Sequence, residues 1–217
     1  MDNVKLYSIT HIENIPHILQ YGITQKDSHN KNPAYKNIGD LSLIDTRNKK
    51  TVDINNGELN PNTKLTSIKL GDYIPFYFGV RMPMLYVAQN GGNFVEDPTP
   101  AANIVYLACS LNKIISSNIG FFFTDGHATD MLTSFYDATQ IHKLNDIVDW
   151  GAVKASYWGG NDSLNTKRKK QAEFLVAKDL PPDFIIGFGC FNEIAKNKLV
   201  SFGISEDKIK IIPKAYY

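Results

Sequence analysis

The amino-acid sequence predicts a single α+β domain with a mixed or antiparallel sheet. Short apolar segments of strand-like composition recur along the 217 residues, whereas long amphipathic helices are few. Strand-like and helix-like segments do not alternate regularly, so a doubly wound parallel sheet is not expected. The length suits one well-buried core, and no internal repeat or domain boundary divides the chain.

The N-terminal segment is predicted to be a strand followed directly by a helix. Lys5–Thr10 (KLYSIT) has strand composition, Thr10–Glu13 has capping-box spacing, and Gly22 can end the helix. His11 and His17 flank this junction. Because the N–H groups at a helix start are free to bind anionic or carbonyl ligands, a ligand-binding role stands beside the commoner structural one.

The next segment, from Asp27 to Gly71, is polar and shows no sustained periodicity. Loops of this length inside a compact domain are usually functional lids or partly disordered segments. Arg47, followed by Lys49 and Lys50, gives the segment positive charge, although a solvated charge run is the common outcome for such a pattern. We therefore expect a lid-like segment.

The middle of the chain is predicted to contain apolar strands and short helices. In the first strand, Asp72–Gly79 (DYIPFYFG), Pro75 favours a sheet edge or a bulge, and Tyr77 could stack on a flat ring. The further elements are a helix starting at Pro83, a strand at Ile104–Ser110, a short helix or turn at Asn112–Ile119, a strand at Gly120–Asp125, and a helix from Ala128 to Ala138 that buries Met131, Leu132 and Phe135.

Aromatic and cationic residues are interleaved in Leu144–Gly160, which contains Trp150, Lys154, Tyr157 and Trp158. Single-stranded nucleic acid needs such a mixture, because rings stack on bases and cations neutralise phosphates. Burial of both tryptophans in the core is the alternative. The remaining elements are a loop at Gly159–Thr166, a strand at Phe184–Phe188, a helix from Asn192 to Phe202 stopped by Gly203, and a strand at Lys208–Ile212.

The strongest functional signal is the stretch Lys167–Val176 (KRKKQAEFLV). A basic run that includes Lys167 and Arg168 precedes an apolar strand with one carboxylate, Glu173, and charged residues are rarely buried without a partner or a task. Side chains two apart on a strand share a face, so Gln171 and Glu173 would project into one cleft. Such a pair behind a cationic rim suits a ligand that is both sugar-like and anionic. An edge-strand glutamate facing water is the alternative.

Several other classes of protein are not expected. Asp125, His127 and Asp130 lack a third nitrogen or sulfur ligand at a recognisable spacing, so we expect no metal and interpret His127 as a hydrogen-bonding residue at a cleft rim. The turn Gly187–Asn192 lacks the third glycine of a dinucleotide-binding fingerprint. The net charge of +1 leaves nucleic-acid binding to local patches.

The compartment predicted from the sequence is the cytoplasm. No apolar run reaches transmembrane length, and the start Met1–Lys5 lacks the apolar region of a signal peptide. Cys109 and Cys190 are too few for a disulfide framework and are expected to be reduced thiols. We expect no membrane contact.

Four separated blocks of residues, in the same order, carry a resemblance to a known family. They are Leu6–Ile15 (LYSITHIENI); Tyr73–Phe78 (YIPFYF) with Arg81 and Pro83–Tyr86 (PMLY); Phe123–His127 (FTDGH); and Ala155–Trp158 (ASYW) leading to Lys169–Val176 (KKQAEFLV). In these blocks the chain resembles DarT, the DNA ADP-ribosyltransferase toxin of the DarT–DarG toxin–antitoxin systems, over nearly its whole length.

The resemblance implies an ADP-ribosyltransferase fold over residues 1–217, with mixed or antiparallel sheets around a central NAD cleft and flanking helices. Residues 27–71 would cover NAD, and residues 127–173 would face the substrate and end at the catalytic glutamate. NAD is the implied co-substrate and a base in single-stranded DNA the acceptor, with thymine favoured over guanine. A monomer opposed by a DarG-like macrodomain antitoxin is expected. An enzyme acting on RNA or protein and an inactive NAD- or nucleic-acid-binding module remain the alternatives.

The resemblance also assigns residues. Glu173 matches the catalytic glutamate, and Arg47 matches the catalytic arginine on the lid over NAD. Ser8 stands where the family often has histidine. The residues expected to bind NAD are Ser8, Ile9, Thr10, His11, His17, Gln25, Arg47, Tyr77 and Met84. The residues expected to contact substrate are His127, Lys154, Tyr157, Trp158, Lys167, Arg168 and Gln171.

Overall fold

A computed structural model of the chain describes residues 4–58, 62, 64–91, 95, 97–160 and 163–217. Residues 1–3, used in the argument about a signal peptide, and residues 161–162 of the expected loop lie outside this description. The strands are β1 Lys5–His11, β2 Thr51–Ile54, β3 Thr66–Lys69, β4 Ile74–Tyr77, β5 Ile104–Ser110, β6 Phe121–Thr124, β7 Phe135–Tyr136, β8 Glu173–Val176, β9 Ile185–Cys190 and β10 Ile209–Ile211. The α-helices are α1 Ile15–Tyr21, α2 Leu41–Lys49, α3 Pro83–Asn90, α4 Leu111–Ile115, α5 Leu144–Ile147, α6 Trp150–Lys154, α7 Leu164–Lys170 and α8 Glu193–Ser201.

The strands form one large sheet in the order β10-β9-β5-β1-β4-β8-β6-β7, together with a separate β2–β3 ribbon. Neighbouring strands of the large sheet are antiparallel except for the parallel β9–β10 pair. The α-helices lie in the connections between strands. The predicted α+β class with a mixed or antiparallel sheet is therefore confirmed.

The large sheet opens between β1 and β4. β1 pairs with β5 along its whole length, but the described residues of β1 and β4 pair at Tyr7↔Tyr77 alone. The expectation of an edge position for Pro75 is wrong in strand order, because β4 lies inside the sheet between β1 and β8. Proline is tolerated there because the β1-facing edge of β4 is largely unpaired and needs no N–H donor at that position.

The main apolar core lies against the centre of this sheet. Leu6, Phe76, Phe123 and Phe174 are completely buried within it. All four residues of β8 are buried, including its first residue, Glu173. The strand that carries the carboxylate is thus fixed from both sides. Burial of each apolar core side chain contributes on the order of 1.5–3 kcal/mol.

The helix expected from Ala128 to Ala138 is wrong. The chain forms turns there, followed by β7 and a 3-10 segment at Ala138–Lys143. Asp125 Oδ1 accepts a hydrogen bond from the N–H of Ser134 at 2.9 Å, and Asp130 Oδ1 accepts one from the N–H of Leu132 at 2.9 Å. These side chains compete with helical hydrogen bonds for the backbone donors.

Two further expectations about side chains fail for the same reason. Met131 is 94% exposed and Leu132 is 79% exposed at the tip of this turn, although both were expected to be buried in a helix. Phe135, which belongs to β7 instead of a helix, is buried as expected.

The region before Glu173 also differs from the prediction. The basic run is the C-terminal part of helix α7, which begins at Leu164 inside the expected loop. Gln171 caps this helix with φ −97° and ψ 22°, and β8 starts only at Glu173. The argument that Gln171 and Glu173 share a strand face is therefore wrong, since Gln171 is not in the strand.

The polar segment 27–71 contains more regular structure than its composition indicates. It includes helix α2 and the β2–β3 ribbon, and Val52, Ile54 and Ile68 of the ribbon are buried. No residue of α2 is buried, so the helix rests on the domain without contributing to a core.

Candidate active site

Glu173 lies at the start of β8 with none of its surface exposed. Its backbone N–H donates to Thr124 Oγ1 at 2.8 Å, and its Oε1 accepts a hydrogen bond from the N–H of Ala128 at 2.9 Å. The alternative of an edge-strand glutamate facing water is therefore wrong. Thr124 and Ala128, which sequence reasoning missed, fix the carboxylate; the Phe123–His127 block was the signal that could have pointed to them.

Arg47 is the partner of this carboxylate. The side chain of Asp40 caps α2 by accepting hydrogen bonds from the N–H groups of Ser42 and Leu43, and Arg47 lies in the last turn of that helix. Its Nη1 is 2.8 Å from Glu173 Oε2, with the two side chains 11% and 0% exposed. Its Nη2 is buried and has no hydrogen-bond partner among the described residues. Nη2 is therefore a donor without a protein acceptor in the described part of the chain, on a side chain that lines the cavity described below.

Gly71 lets α2 approach the domain closely enough for this contact. A Cβ atom at position 71 would lie 2.7 Å from the Cα of Asn48, which no real side chain tolerates. Lys50, the residue after α2, adds a second contact with the domain, because its Nζ donates a hydrogen bond to the carbonyl of Thr129 at 2.6 Å. Helix α2 is thus connected at its C-terminal end to the turn that carries His127.

His127 completes the group around the carboxylate. Its Nε2 lies 3.9 Å from Glu173 Oε1, and its Nδ1 lies 3.0 Å from Thr129 Oγ1. Burial lowers the pKa of this imidazole; Glu173 opposes this effect and Arg47 adds to it, and both contributions are smaller than that of burial. The imidazole is therefore neutral at pH 7.

A cavity of about 510 Å³ opens beside Arg47, within the size range of small-molecule sites; Arg47 belongs to its lining, whereas Glu173 and His127 lie behind that lining. It lies along the opening between β1 and β4 and beneath α2. The expected NAD-binding residues that line it are Ser8, Ile9, Thr10, His17, Gln25, Arg47, Tyr77 and Met84. His11 is not part of this lining; its Nδ1 accepts a hydrogen bond from the N–H of Glu13 and caps the turn before α1.

Asn14 also lines the cavity and was missed by the sequence analysis. Its side-chain amide donates to Thr10 Oγ1 and to the carbonyl of Lys36, each at 2.9 Å, and its oxygen accepts from the N–H of Lys36 at 2.9 Å. The four-residue spacing of Thr10 and Asn14 across the strand-to-helix junction was the available signal. These bonds connect the cavity wall to the chain that leads into α2.

The expected substrate-contacting residues are outside this cavity. Lys154, Tyr157 and Lys167 are exposed, with Tyr157 at 75%. Lys167 Nζ lies 5.4 Å from the centroid of the Trp158 ring, and Trp158 Nε1 donates to Tyr217 Oη at 2.7 Å. Trp158 is half-buried, whereas Trp150 packs edge-on against Phe78 in the core. The result is an aromatic and cationic surface around α6 and α7.

Arg168 and Gln171 have inward contacts. Arg168 Nη1 is 3.2 Å from Asp125 Oδ1, and its side chain is 9% exposed, so it braces the turn that carries His127. Gln171 Nε2 donates to the carbonyl of Lys167 at 3.1 Å and secures the end of α7. Both residues therefore stabilise the segments on either side of the site, namely the turn that carries His127 and the end of α7.

Within the described part of the chain, no group of three or more His, Cys, Asp and Glu side chains is arranged to hold a metal ion. Among those same residues, none of the helices combines the length and apolar character needed to cross a bilayer.

Known proteins resemble this chain in sequence and in fold. A DNA ADP-ribosyl transferase from Thermus sp. strain 2.9 is 32% identical, over 95% of this chain and 86% of its own length. A fusion of DNA ADP-ribosyl transferase and DNA ADP-ribosyl glycohydrolase from Thermosipho africanus is 27% identical, over 96% of this chain and 48% of its own.

Two solved structures of Thermus sp. 2.9 DarT match the whole chain. One, in complex with ADP-ribosylated ssDNA, has a TM-score of 0.80 and 27% identity and is covered over 98% of its length. The other, in complex with NAD⁺, has a TM-score of 0.75 and 26% identity and is covered over 99%. The fold is that of an NAD-dependent ADP-ribosyltransferase. Residues 7–217 match the family described as "ssDNA thymidine ADP-ribosyltransferase, DarT", and the chain belongs to that family.

Proposed function

We propose that this enzyme transfers ADP-ribose from NAD in the β1–β4 cavity to a thymine base in single-stranded DNA, with Glu173 and Arg47 as its catalytic residues. The observation that carries the proposal is the buried Arg47–Glu173 ion pair, 2.8 Å long, at the edge of a cavity of about 510 Å³. A buried charge pair needs a reason, since its desolvation is costly. Stabilising a cationic transition state is such a reason.

Glu173 supports the charge that develops when the bond between nicotinamide and ribose breaks. This step has oxocarbenium character, as glycoside cleavage does, and a nearby carboxylate stabilises it. In our proposal the carboxylate accepts a hydrogen bond from a ribose hydroxyl in place of one from Arg47. The guanidinium then turns its planar fork to NAD phosphate or ribose, for which its geometry is suited. None of the residues of α2 is buried, so this exchange does not disturb the apolar core.

Residues 27–71 act as the lid over NAD in this proposal, and residues 127–173 form the side that faces DNA. The target base must leave its stack to reach the ribose carbon, which is why an unstacked single strand is the substrate. Tyr157 offers an exposed ring for a neighbouring base, and Lys154 and Lys167 offer charge for the phosphates. Arg168 and Gln171 stabilise the side that faces DNA through their contacts with Asp125 and Lys167.

The direct test is incubation of the protein with NAD and a panel of short oligonucleotides that differ in one base, read by mass. We expect one ADP-ribose on strands with a single thymine and none on strands where guanine, cytosine or adenine replaces it. The same strand held in a duplex, its RNA counterpart and a carrier protein serve as controls. Equal labelling of guanine strands, RNA or protein would contradict the proposed acceptor.

The proposed DNA surface predicts a change in salt dependence. Each lost phosphate contact lowers the slope of log Kd against log salt by about 0.7 for a single strand. Lys154→Gln/Lys167→Gln is therefore expected to reduce the slope by about 1.4. Lys210→Gln, an exposed lysine on β10 at the opposite edge of the sheet, is the matched control. Fluorescence-anisotropy titrations at several salt concentrations measure this, and an unchanged slope in the double variant would exclude the surface.

We further propose that the protein is a cytoplasmic, monomeric toxin whose DNA modification is reversed by a DarG-like macrodomain antitoxin. The glycohydrolase fused to the relative from Thermosipho africanus supports a functional connection between addition and removal of ADP-ribose. Growth arrest on induced expression, relieved by co-expression of a DNA ADP-ribosyl glycohydrolase, is the test.

A further inference from the structure

The proposed reaction leaves one proton without an acceptor. Within a thymine nucleotide, ring atom N1 carries deoxyribose, so N3 is the nitrogen that bears an exchangeable proton and can receive ADP-ribose. When N3 bonds to the ribose carbon, the N3 proton must leave. A positioned base in the enzyme accelerates such a step.

Most groups at the centre cannot accept this proton. The guanidinium of Arg47 has no acceptor and stays protonated. Both oxygens of Glu173 are engaged, Oε2 by Arg47 and Oε1 by the N–H of Ala128, and the proposed role of this carboxylate is on the ribose. Tyr77 stays protonated because burial raises its pKa. Asp130 is held at the tip of the turn, where its Oδ1 accepts a hydrogen bond from the N–H of Leu132 and its neighbour Met131 is 94% exposed.

His127 is the group that remains. Within the described part of the chain, its Nε2 is buried and has no hydrogen-bond partner. At 3.9 Å from Glu173 Oε1 it is beyond hydrogen-bond distance, yet adjacent to the carboxylate that contacts the ribose. Buried polar atoms are rarely left unpaired, so Nε2 requires a partner that the described residues do not supply, and a catalytic role is one of the recognised reasons for such an atom.

The backbone around His127 holds the ring in this position. Its N–H donates to the carbonyl of Arg168 at 3.0 Å, and its carbonyl accepts from Thr133 Oγ1 at 2.8 Å. Its Nδ1 lies 3.0 Å from the hydroxyl of Thr129. With the proton on Nδ1 and donated to that hydroxyl, the lone pair is on Nε2.

We infer that His127 is the general base of the transfer. Its Nε2 takes the N3 proton of thymine while N3 bonds to the ribose carbon and the bond from that carbon to nicotinamide breaks. The electron pair of the broken bond stays with nicotinamide, which leaves uncharged. The imidazolium then returns the proton to solvent. This inference rests on the proposed function, and it identifies the proton acceptor that the proposed reaction requires.

The charges around the ring are consistent with this role. Burial lowers the pKa of His127 most strongly; Glu173 and Asp130 oppose that effect, and Arg47 and Lys50 add to it. The ring is therefore neutral at pH 7. We expect the transfer rate to fall as the pH drops through the lowered pKa, because the protonated imidazole cannot accept the N3 proton, and to level off above it.

The test compares thymine with 5-fluorouracil in otherwise identical oligonucleotides. Fluorine makes the N3–H more acidic, so a base is needed less. We expect His127→Asn to lower kcat on thymine by about 100-fold. On 5-fluorouracil, kcat of this variant should be restored to near the wild-type value. The fall of its rate at acidic pH should disappear. KM for the oligonucleotide and the NAD-induced rise in Tm should stay near wild type. Thr129→Val, which frees Nδ1, should show a loss of about 10-fold and the same recovery.

Two outcomes would overturn the inference: full activity of His127→Asn on thymine, or an equal loss on both bases. Either result leaves the proposed function standing if Glu173→Gln is inactive on both bases. Full activity of Glu173→Gln would instead remove the proposed function itself. The two failures are therefore distinguishable.

Discussion

Glu173→Gln is expected to lower the rate of DNA modification at saturating NAD and DNA by about 1000-fold, which corresponds to about 4 kcal/mol of transition-state stabilisation. The amide has nearly the same shape and can still accept the hydrogen bond from Ala128. It lacks the negative charge that stabilises the oxocarbenium-like ribose. Initial rates of oligonucleotide modification, read by mass, measure the effect.

The matched control for this variant is Glu193→Gln, an exposed glutamate at the start of α8. It should leave the rate within twofold of wild type. NAD should still raise the Tm of Glu173→Gln, since ligand binding to the folded state stabilises it by mass action. A rate within tenfold of wild type would show that this carboxylate is not where the ribose charge develops.

The sequence was most informative where one physical requirement decided the structure. The apolar run after Glu173 indicated a buried strand, and a carboxylate inside such a strand needed a partner or a task. The strand Ile104–Ser110 has the predicted bounds, and Lys5–His11 is one residue longer than predicted. The clustering of eight expected NAD-binding residues around one cavity came from the family resemblance, since local patterns do not bring them together.

The parts that the sequence could not provide depend on distant contacts. Nothing around Arg47 distinguishes it from Lys49 or Lys50, and it meets Glu173 across 126 positions of the chain. The apolar spacing at residues 128–138 is that of a helix, but bonds from Asp125 and Asp130 to the backbone produce turns. Local helix propensity is a weak prior that such bonds between side chains and backbone override.

Arg47→Met is expected to impair both stability and activity, because it leaves the completely buried carboxylate of Glu173 without its counter-ion. Breaking a buried ion pair from one side costs about 3 kcal/mol, so the free energy of unfolding should fall by that amount. Transfer should fall about 100-fold, since the guanidinium no longer holds NAD. Lys49→Met, two residues further on, is the control: Lys49 forms an exposed pair with Asp45 at 2.6 Å. Such pairs contribute about 0–1 kcal/mol.

A second substitution separates the two effects of Arg47→Met. Arg47→Met/Glu173→Gln replaces the buried charge by a neutral amide, so urea unfolding should recover most of the stability lost in Arg47→Met. Activity should not recover, because both charges that act on NAD and ribose are then missing. Equal stability of Arg47→Met and the double variant would mean that the carboxylate finds another counter-charge or takes up a proton. In that case the pair contributes to catalysis without constraining the fold.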